Sequence, residues 1–209
     1  MAQYSLEVVQ QPTQAHMSGF GDKRRSLDPP PIVQLTVLDE EGKLQQNVVD
    51  ISFLSVHVDL WSEDCLENRN LVIHPSSIPS ATALPRTTVV TLNAPRYARN
   101  LLGSLTSSAY SLLNTRGELG IYFVFPDLSV RTEGRFTLRF SFFNLAQSSF
   151  KGSSLVQVQI FSKPFTVYLA KDFPGGCEPT DLTKCFVKQG VRIPTRRTLL
   201  KPPTFRTET

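Results

Sequence analysis

The chain has 209 residues, 40% of them hydrophobic and 19% charged, and a formal net charge of +4. That length and apolar content permit one large domain or two small ones around a real core, and exclude a chain disordered throughout. Three cysteines (Cys65, Cys177, Cys185) with no CxxC pair exclude a disulfide framework and argue against structural zinc.

The elements follow in chain order. "YSLEVVQQP" predicts a short strand ended by Pro12. "GFGDKRRSLDPPPIVQLTV" joins two unlike texts, a glycine-rich basic loop and a proline stop that opens an alternating run. In that run Val33, Leu35 and Val37 share one face, opposite Ile32, Gln34 and Thr36. "ISFLSVHVDLW" alternates imperfectly, because Ile51 and Phe53 fall out of phase with Val58 and Leu60, so a bulge is expected there. Residues 68–95 are rich in Pro, Ser and Thr and predict a long variable loop. "YARNLLGSLTSSAYSLLNTRG" fits a helix or two short strands, and strands are preferred.

The second half is clearer. Ile121 to Phe125 form a continuous apolar run, the pattern of a central strand. In "GRFTLRFSFFNL", Phe136, Leu138, Phe140 and Phe142 point one way, and Arg135, Thr137, Arg139 and Ser141 the other. "LVQVQIFSKPFTVYLA" gives two strands broken at Lys163-Pro164. "TDLTKCFVKQG" predicts a helix, with Thr180 as N-cap, Leu182, Cys185 and Phe186 at helical spacing, and Gly190 at the end. Residues 194–209 are basic and proline-broken and read as a tail after a domain spanning 1–193. Many short strands without βαβ alternation predict an all-β, antiparallel β-sandwich with a short C-terminal helix.

Little in the sequence suggests catalysis. His16, His57 and His74 are scattered outside any metal-ligand spacing, and no GxSxG elbow occurs. Asp127 and Glu133 flank Arg131, which fits an Asp-headed turn with an ion pair between strands better than paired acid–base carboxylates. "GFGD" lacks the third glycine and the following helix of a phosphate-binding loop, so no cofactor is predicted. The N-terminus lacks the pattern of a signal peptide, and no apolar stretch reaches the roughly 20 residues that cross a bilayer. An intracellular, reducing compartment is the expectation.

Charge is the more informative signal. Asp39 to Glu67 holds eight acidic residues and one basic, whereas Lys184 to the end holds seven basic and one acidic. Such segregation fits a polyanion-binding face, complementary patches in a dimer, or a solvated tail. Lys23, Arg24 and Arg25 form the densest basic cluster outside that tail, between Gly19 and Gly21 on one side and three prolines on the other. Lysine offers a point charge for phosphate, and arginine a planar fork for phosphate or a guanine edge. The cluster therefore reads as a nucleic-acid contact or as an ordinary solvated turn.

The stretches "YSLEVVQQP", "GFGDKRRSLDPPPIVQLTV", "GIYFVFPDLSVRTEGRFTLRFSFFNL", "SKPFTVYLAKDFPGG" and "DLTKCFVKQGVRI" occur in an order and spacing that resemble the velvet-domain family of fungal regulators, most closely its velvet B type. The resemblance implies an immunoglobulin-like sandwich similar to the DNA-binding half of Rel/NF-kappaB proteins. It implies a nuclear, and in part cytoplasmic, transcription regulator of sporulation and secondary metabolism, not an enzyme. The partners it implies are double-stranded DNA, other velvet proteins in homo- or heterodimers, and in some cases a methyltransferase-like regulator. A protein-interaction module that leaves DNA to its partner is the alternative. The family's DNA-contacting loop after the first strand maps onto Lys23, Arg24 and Arg25. Arg131 and Arg135, in "SVRTEGR", read as further contacts or as residues with a structural or interface role, and Lys188, Arg192, Arg196 and Arg197 as phosphate contacts after the helix.

Overall fold

A computed structural model describes residues 3–22, 24–38, 50–77, 96–147 and 155–194. Lys23, Arg196 and Arg197, the start of the acidic run (residues 39–49), most of the 68–95 loop, and the tail beyond Pro194 lie outside the described residues. The strands are β1 (Gln3–Gln10), β2 (Gln14–His16), β3 (Ile32–Leu38), β4 (Leu54–Ser62), β5 (Leu71–Ile73), β6 (Tyr97–Arg99) and β7 (Leu101–Leu102). They continue as β8 (Thr106–Ser108), β9 (Tyr110–Leu113), β10 (Leu119–Val124), β11 (Ser129–Val130), β12 (Gly134–Asn144), β13 (Val156–Phe161) and β14 (Phe165–Tyr168). The helix α1 (Asp181–Lys188) follows.

The fold is an immunoglobulin-like β-sandwich. One sheet runs β1-β3-β10-β9, and the other β2-β14-β12-β4-β8, with β13 also on β12. All these pairings are antiparallel except β2 with β14, which is parallel. The chain therefore crosses from the first sheet to the second between Gln10 and Gln14, at Pro12. Proline has no N–H to give to a ladder, so the ladder of β1 ends where the chain changes sheet. β13 and β14 lie end to end on one edge of β12, broken by Ser162-Lys163-Pro164. The break is stitched: Ser162 N donates to Leu138 O at 2.8 Å, and Leu138 N donates to Ser162 Oγ at 3.0 Å.

Between the sheets lie Val33, Leu35 and Val37 of β3, Leu54, Val56, Val58 and Leu60 of β4, and Phe136, Leu138, Phe140 and Phe142 of β12. All of them are buried. The expected bulge near Ile51 and Phe53 is instead a single 3-10 turn, Ile51–Phe53, with Asp50 accepting from Ser52 N at 3.1 Å. The strand starts one residue later, and its ladder to β12 then runs unbroken from Leu54 to Ser62. The break in alternation marked the end of a strand, not an irregularity inside one.

A third layer accounts for the continuous apolar run. β10 lies between β3 and β9, and Phe123 faces the sandwich core. Tyr122 and Val124 face the opposite way, into a second cluster with Ile32, Leu112, Phe186, Val191 and Ile193. The chain's own C-terminal helix and the turn after it thus cover the outer face of the first sheet. Thr180 caps the helix by accepting from Thr183 N at 3.1 Å. Eight residues make a marginal helix alone, so the burial of Phe186 against Tyr122, with ring centroids 4.8 Å apart, holds it in place.

Candidate nucleic-acid interface

The segment between β2 and β3 leaves the sandwich, turns and returns, and both of its ends are pinned by backbone hydrogen bonds. On the way out, Met17 N donates to Tyr168 O at 2.8 Å, Ser18 N to Val130 O at 2.9 Å, and Gly19 N to Arg131 O at 3.0 Å. On the way back, Leu27 N donates to Leu128 O and Asp28 N to Gln14 O, both at 2.8 Å. Leu27 is buried in the main core, so the return cannot lift without opening the core. Gly19 sits at φ +62, the left-handed region that glycine enters without cost, and the chain reverses there.

Further bonds stiffen the base. Gln10 Nε2 donates to Pro30 O at 2.7 Å and to Thr183 Oγ1 at 2.9 Å, which ties the proline run to the first turn of α1. Asp28 Oδ2 accepts from Cys177 N at 2.6 Å. Arg25 N donates to Ser18 Oγ at 3.2 Å and closes the loop across its neck. What projects is short: Arg24 and Arg25 are exposed, as are Gly21, Asp22 and Ser26. Below them lies a cleft of about 520 Å³, bordered by His16, Arg24, Arg25, Phe173, Thr183 and Pro194. The arrangement presents fixed cations on a pinned loop.

The other sequence-predicted cations fall into different surroundings. Arg131 donates from Nε to Arg99 O at 2.9 Å and from Nη1 to Gly19 O at 2.8 Å, and its guanidinium lies 5.4 Å from the Phe20 ring. It takes up two backbone carbonyls where an ion pair with its flanking carboxylates was expected. Asp127 turns instead to Ser104, accepting from its N and its Oγ at 3.0 Å each. Arg135 pairs with Glu63 at 2.8 Å on the surface, where both remain about half exposed. Lys188, in the last turn of α1, and Arg192, between buried Val191 and Ile193, are exposed. Arg192 precedes Pro194, which borders the cleft under Arg24 and Arg25.

Two residues of this region escaped the sequence reading. Phe20 is packed edge-on against His74, with centroids 5.0 Å apart, and Gln10 is 5% exposed at the centre of the Pro30–Thr183 network. A glutamine at the end of a strand carries no pattern that marks it. Phe20, a lone aromatic between two glycines, did carry a signal, since a large apolar side chain in a polar loop must find cover. Among the described residues no group of three or more His, Cys, Asp or Glu side chains is placed to hold a metal ion. No helix there is long and apolar enough to cross a membrane.

A family model described as Velvet factor matches residues 4–93 and 84–199. The chain belongs to the velvet family. It is 32% identical to a type-B velvet complex subunit of Aspergillus flavus, over 93% of this chain and 78% of that protein. It is 31% identical to the protein of the same name in Emericella nidulans, with the same two shares. Velvet complex subunit 2 of Gibberella moniliformis is 35% identical over 93% of this chain and 61% of its own length. The two velvet matches meet at residues 84–93, between β5 and β6.

Proposed function

We propose that this chain is a DNA-binding subunit of a dimeric, non-enzymatic velvet regulator that acts in the nucleus on fungal development, sporulation and secondary metabolism. The observation that carries this reading is the basic loop. Exposed Arg24 and Arg25 ride on a segment pinned by backbone bonds at both ends, which limits the conformational entropy lost on meeting a charged ligand. A dimer doubles the phosphate contacts and sets a half-site spacing, which a single short loop requires for useful affinity. The relatives' names, as subunits of a velvet complex, support another velvet protein as the partner, in a heterodimer or a homodimer. A methyltransferase-like regulator is a further partner on family grounds.

The test is duplex binding by the purified protein, alone and mixed with a velvet partner, across a salt series. Replacing Lys23, Arg24 and Arg25 together by alanine is expected to weaken binding at least about tenfold and to flatten the salt slope, with the melting temperature unchanged. Unaltered affinity with a normal melting curve rejects the loop as the contact. The same names favour a second reading, an interaction module whose partner alone touches DNA. It predicts association with a partner that is insensitive to salt and no binding to duplex by the isolated chain.

A further inference from the structure

Arg131 joins two pieces of chain that the sequence sets far apart. Its Nη1 holds Gly19 O of the basic loop, and its Nε holds Arg99 O at the end of β6. Phe20 packs against His74, just past the end of β5. The β5–β6 ribbon is therefore tied to the outgoing arm of the loop, through the Arg131 guanidinium at one end and by Phe20 on His74 at the other. In the ribbon Leu71 pairs with Arg99 and Ile73 with Tyr97. Cross-strand partners share a face, so Leu71, Ile73, Tyr97 and Arg99 form one face, and all four are exposed. Val72 and Ala98 face the other way and are half-buried.

Resting on the DNA-binding function proposed above, we propose that this ribbon is a second arm of the polyanion surface, with Arg99 as its contact residue and Arg131 as the positioning residue that fixes it beside the basic loop. Arg99 is suited to the role because, among the described residues, only its backbone carbonyl is spent on structure, while its side chain is exposed. The carboxylates of the turn before the ribbon are already engaged. Glu63 pairs with Arg135, Glu67 with Arg69, and Asp64 accepts from the Ser62 hydroxyl. Two hydrogen-bond donors, Ser62 Oγ and Leu66 N, also hold the Asp64 carboxyl below its ordinary value. A two-stranded ribbon fits the major groove, where Tyr97 and Ile73 can meet sugar and thymine methyl groups while Arg99 meets phosphate or a guanine edge.

The experiment compares wild type, R99A, R131Q and R131K on a fluorescein-labelled duplex of mixed sequence, over a salt series, together with limited trypsin digestion. R99A removes an exposed side chain and leaves the fold intact. It is expected to lower affinity about fivefold at physiological salt and to reduce the slope of log K against log salt by about one. R131Q is expected to lower affinity with the slope unchanged, because it contacts no phosphate, and to speed cleavage after Arg24 and Arg25 about fivefold. R131K keeps a donor and recovers part of both. Wild-type affinity and slope in R99A overturn the ribbon as an arm, and an unchanged cleavage rate in R131Q overturns the positioning role. A wild-type chain that binds no duplex at any salt overturns the ribbon arm and the DNA-binding function beneath it. The trypsin result separates these cases, since it reads the loop without DNA.

Discussion

Gln189 uses its side-chain amide as a second backbone for Leu113. Leu113 N donates to Gln189 Oε1, and Gln189 Nε2 donates to Leu113 O, both at 2.8 Å. Leu113 ends β9, the edge strand of the first sheet, so the helix C-terminus occupies part of an edge that would otherwise offer its ladder to another chain. Replacing Gln189 by alanine is expected to cost about 1 kcal/mol, the ordinary net value of partly solvated hydrogen bonds, and to lower the melting temperature by about 2–4 °C. Gln189→Glu is expected to restore none of the Leu113 O bond, because a carboxylate has no N–H to donate. Thermal melts of both variants, with light scattering after heating, check the loss and the aggregation that follows an opened edge.

Phe140 is fully buried on β12, with its ring 5.3 Å from that of Phe125 across the sandwich. Phe140→Ala is expected to cost about 3–5 kcal/mol, the usual loss for a buried phenylalanine. Denaturant unfolding measures it. A cost below about 1 kcal/mol contradicts the position of this face in the core.

Gly103 and Gly117 separate two reasons for a glycine. Both have positive φ, +105 and +80. A Cβ on Gly103 would sit 2.4 Å from Asp127 O, whereas one on Gly117 would meet nothing within 4 Å. Gly117→Ala is expected to cost about 1–2 kcal/mol from backbone strain alone. Gly103→Ala adds a collision with main chain that cannot rotate away, and about 2–5 kcal/mol is expected. Equal costs for the two variants contradict the close packing of β7 on the Asp127 turn.

Tyr122 gives the fold an alkaline limit. Burial pushes its phenol above the ordinary tyrosine value, a hydrogen bond from Asn114 offsets part of this, and the charges of Glu118 and Cys185 add to the rise. A pKa raised in the folded state means that the folded protein holds its proton more tightly than the unfolded chain. The stabilisation is complete below about pH 10, the unfolded value, and is lost as pH climbs through the raised one. Stability measured from pH 8 upward is expected to fall more steeply in wild type than in Tyr122→Phe.

The sandwich was legible where water covers one face of a strand and not the other. Phe136, Leu138, Phe140 and Phe142 alternate with Arg135 and Arg139 because the outer face of β12 stays polar. The helix was legible because Thr180, Phe186 and Gly190 each carry a local signal for cap, face and stop. The run from Ile121 to Phe125 read as a central strand with both faces apolar. The cover for Tyr122 and Val124 is α1, some 60 residues later, and no local pattern announces such a long-range contact. At the site, charge made Arg24 and Arg25 visible. The place of Arg131 was hidden, because its partners are the carbonyls of Gly19 and Arg99, which every residue possesses.

The change of sheet at Pro12 also orders events during synthesis. β1 can pair with β3 as soon as the first 38 residues are out of the ribosome. β2 must wait for β14, and Gln11 likewise waits for Lys163, its partner 152 residues downstream. Until nearly the whole domain has emerged, the nascent chain carries a paired strand attached to an unpaired one. The basic loop just beyond β2 takes its clamped shape only then, since Met17, Ser18 and Gly19 bond to Tyr168, Val130 and Arg131. A ribosome-bound fragment that stops before β14 therefore exposes that edge to chaperones and lacks the finished basic loop.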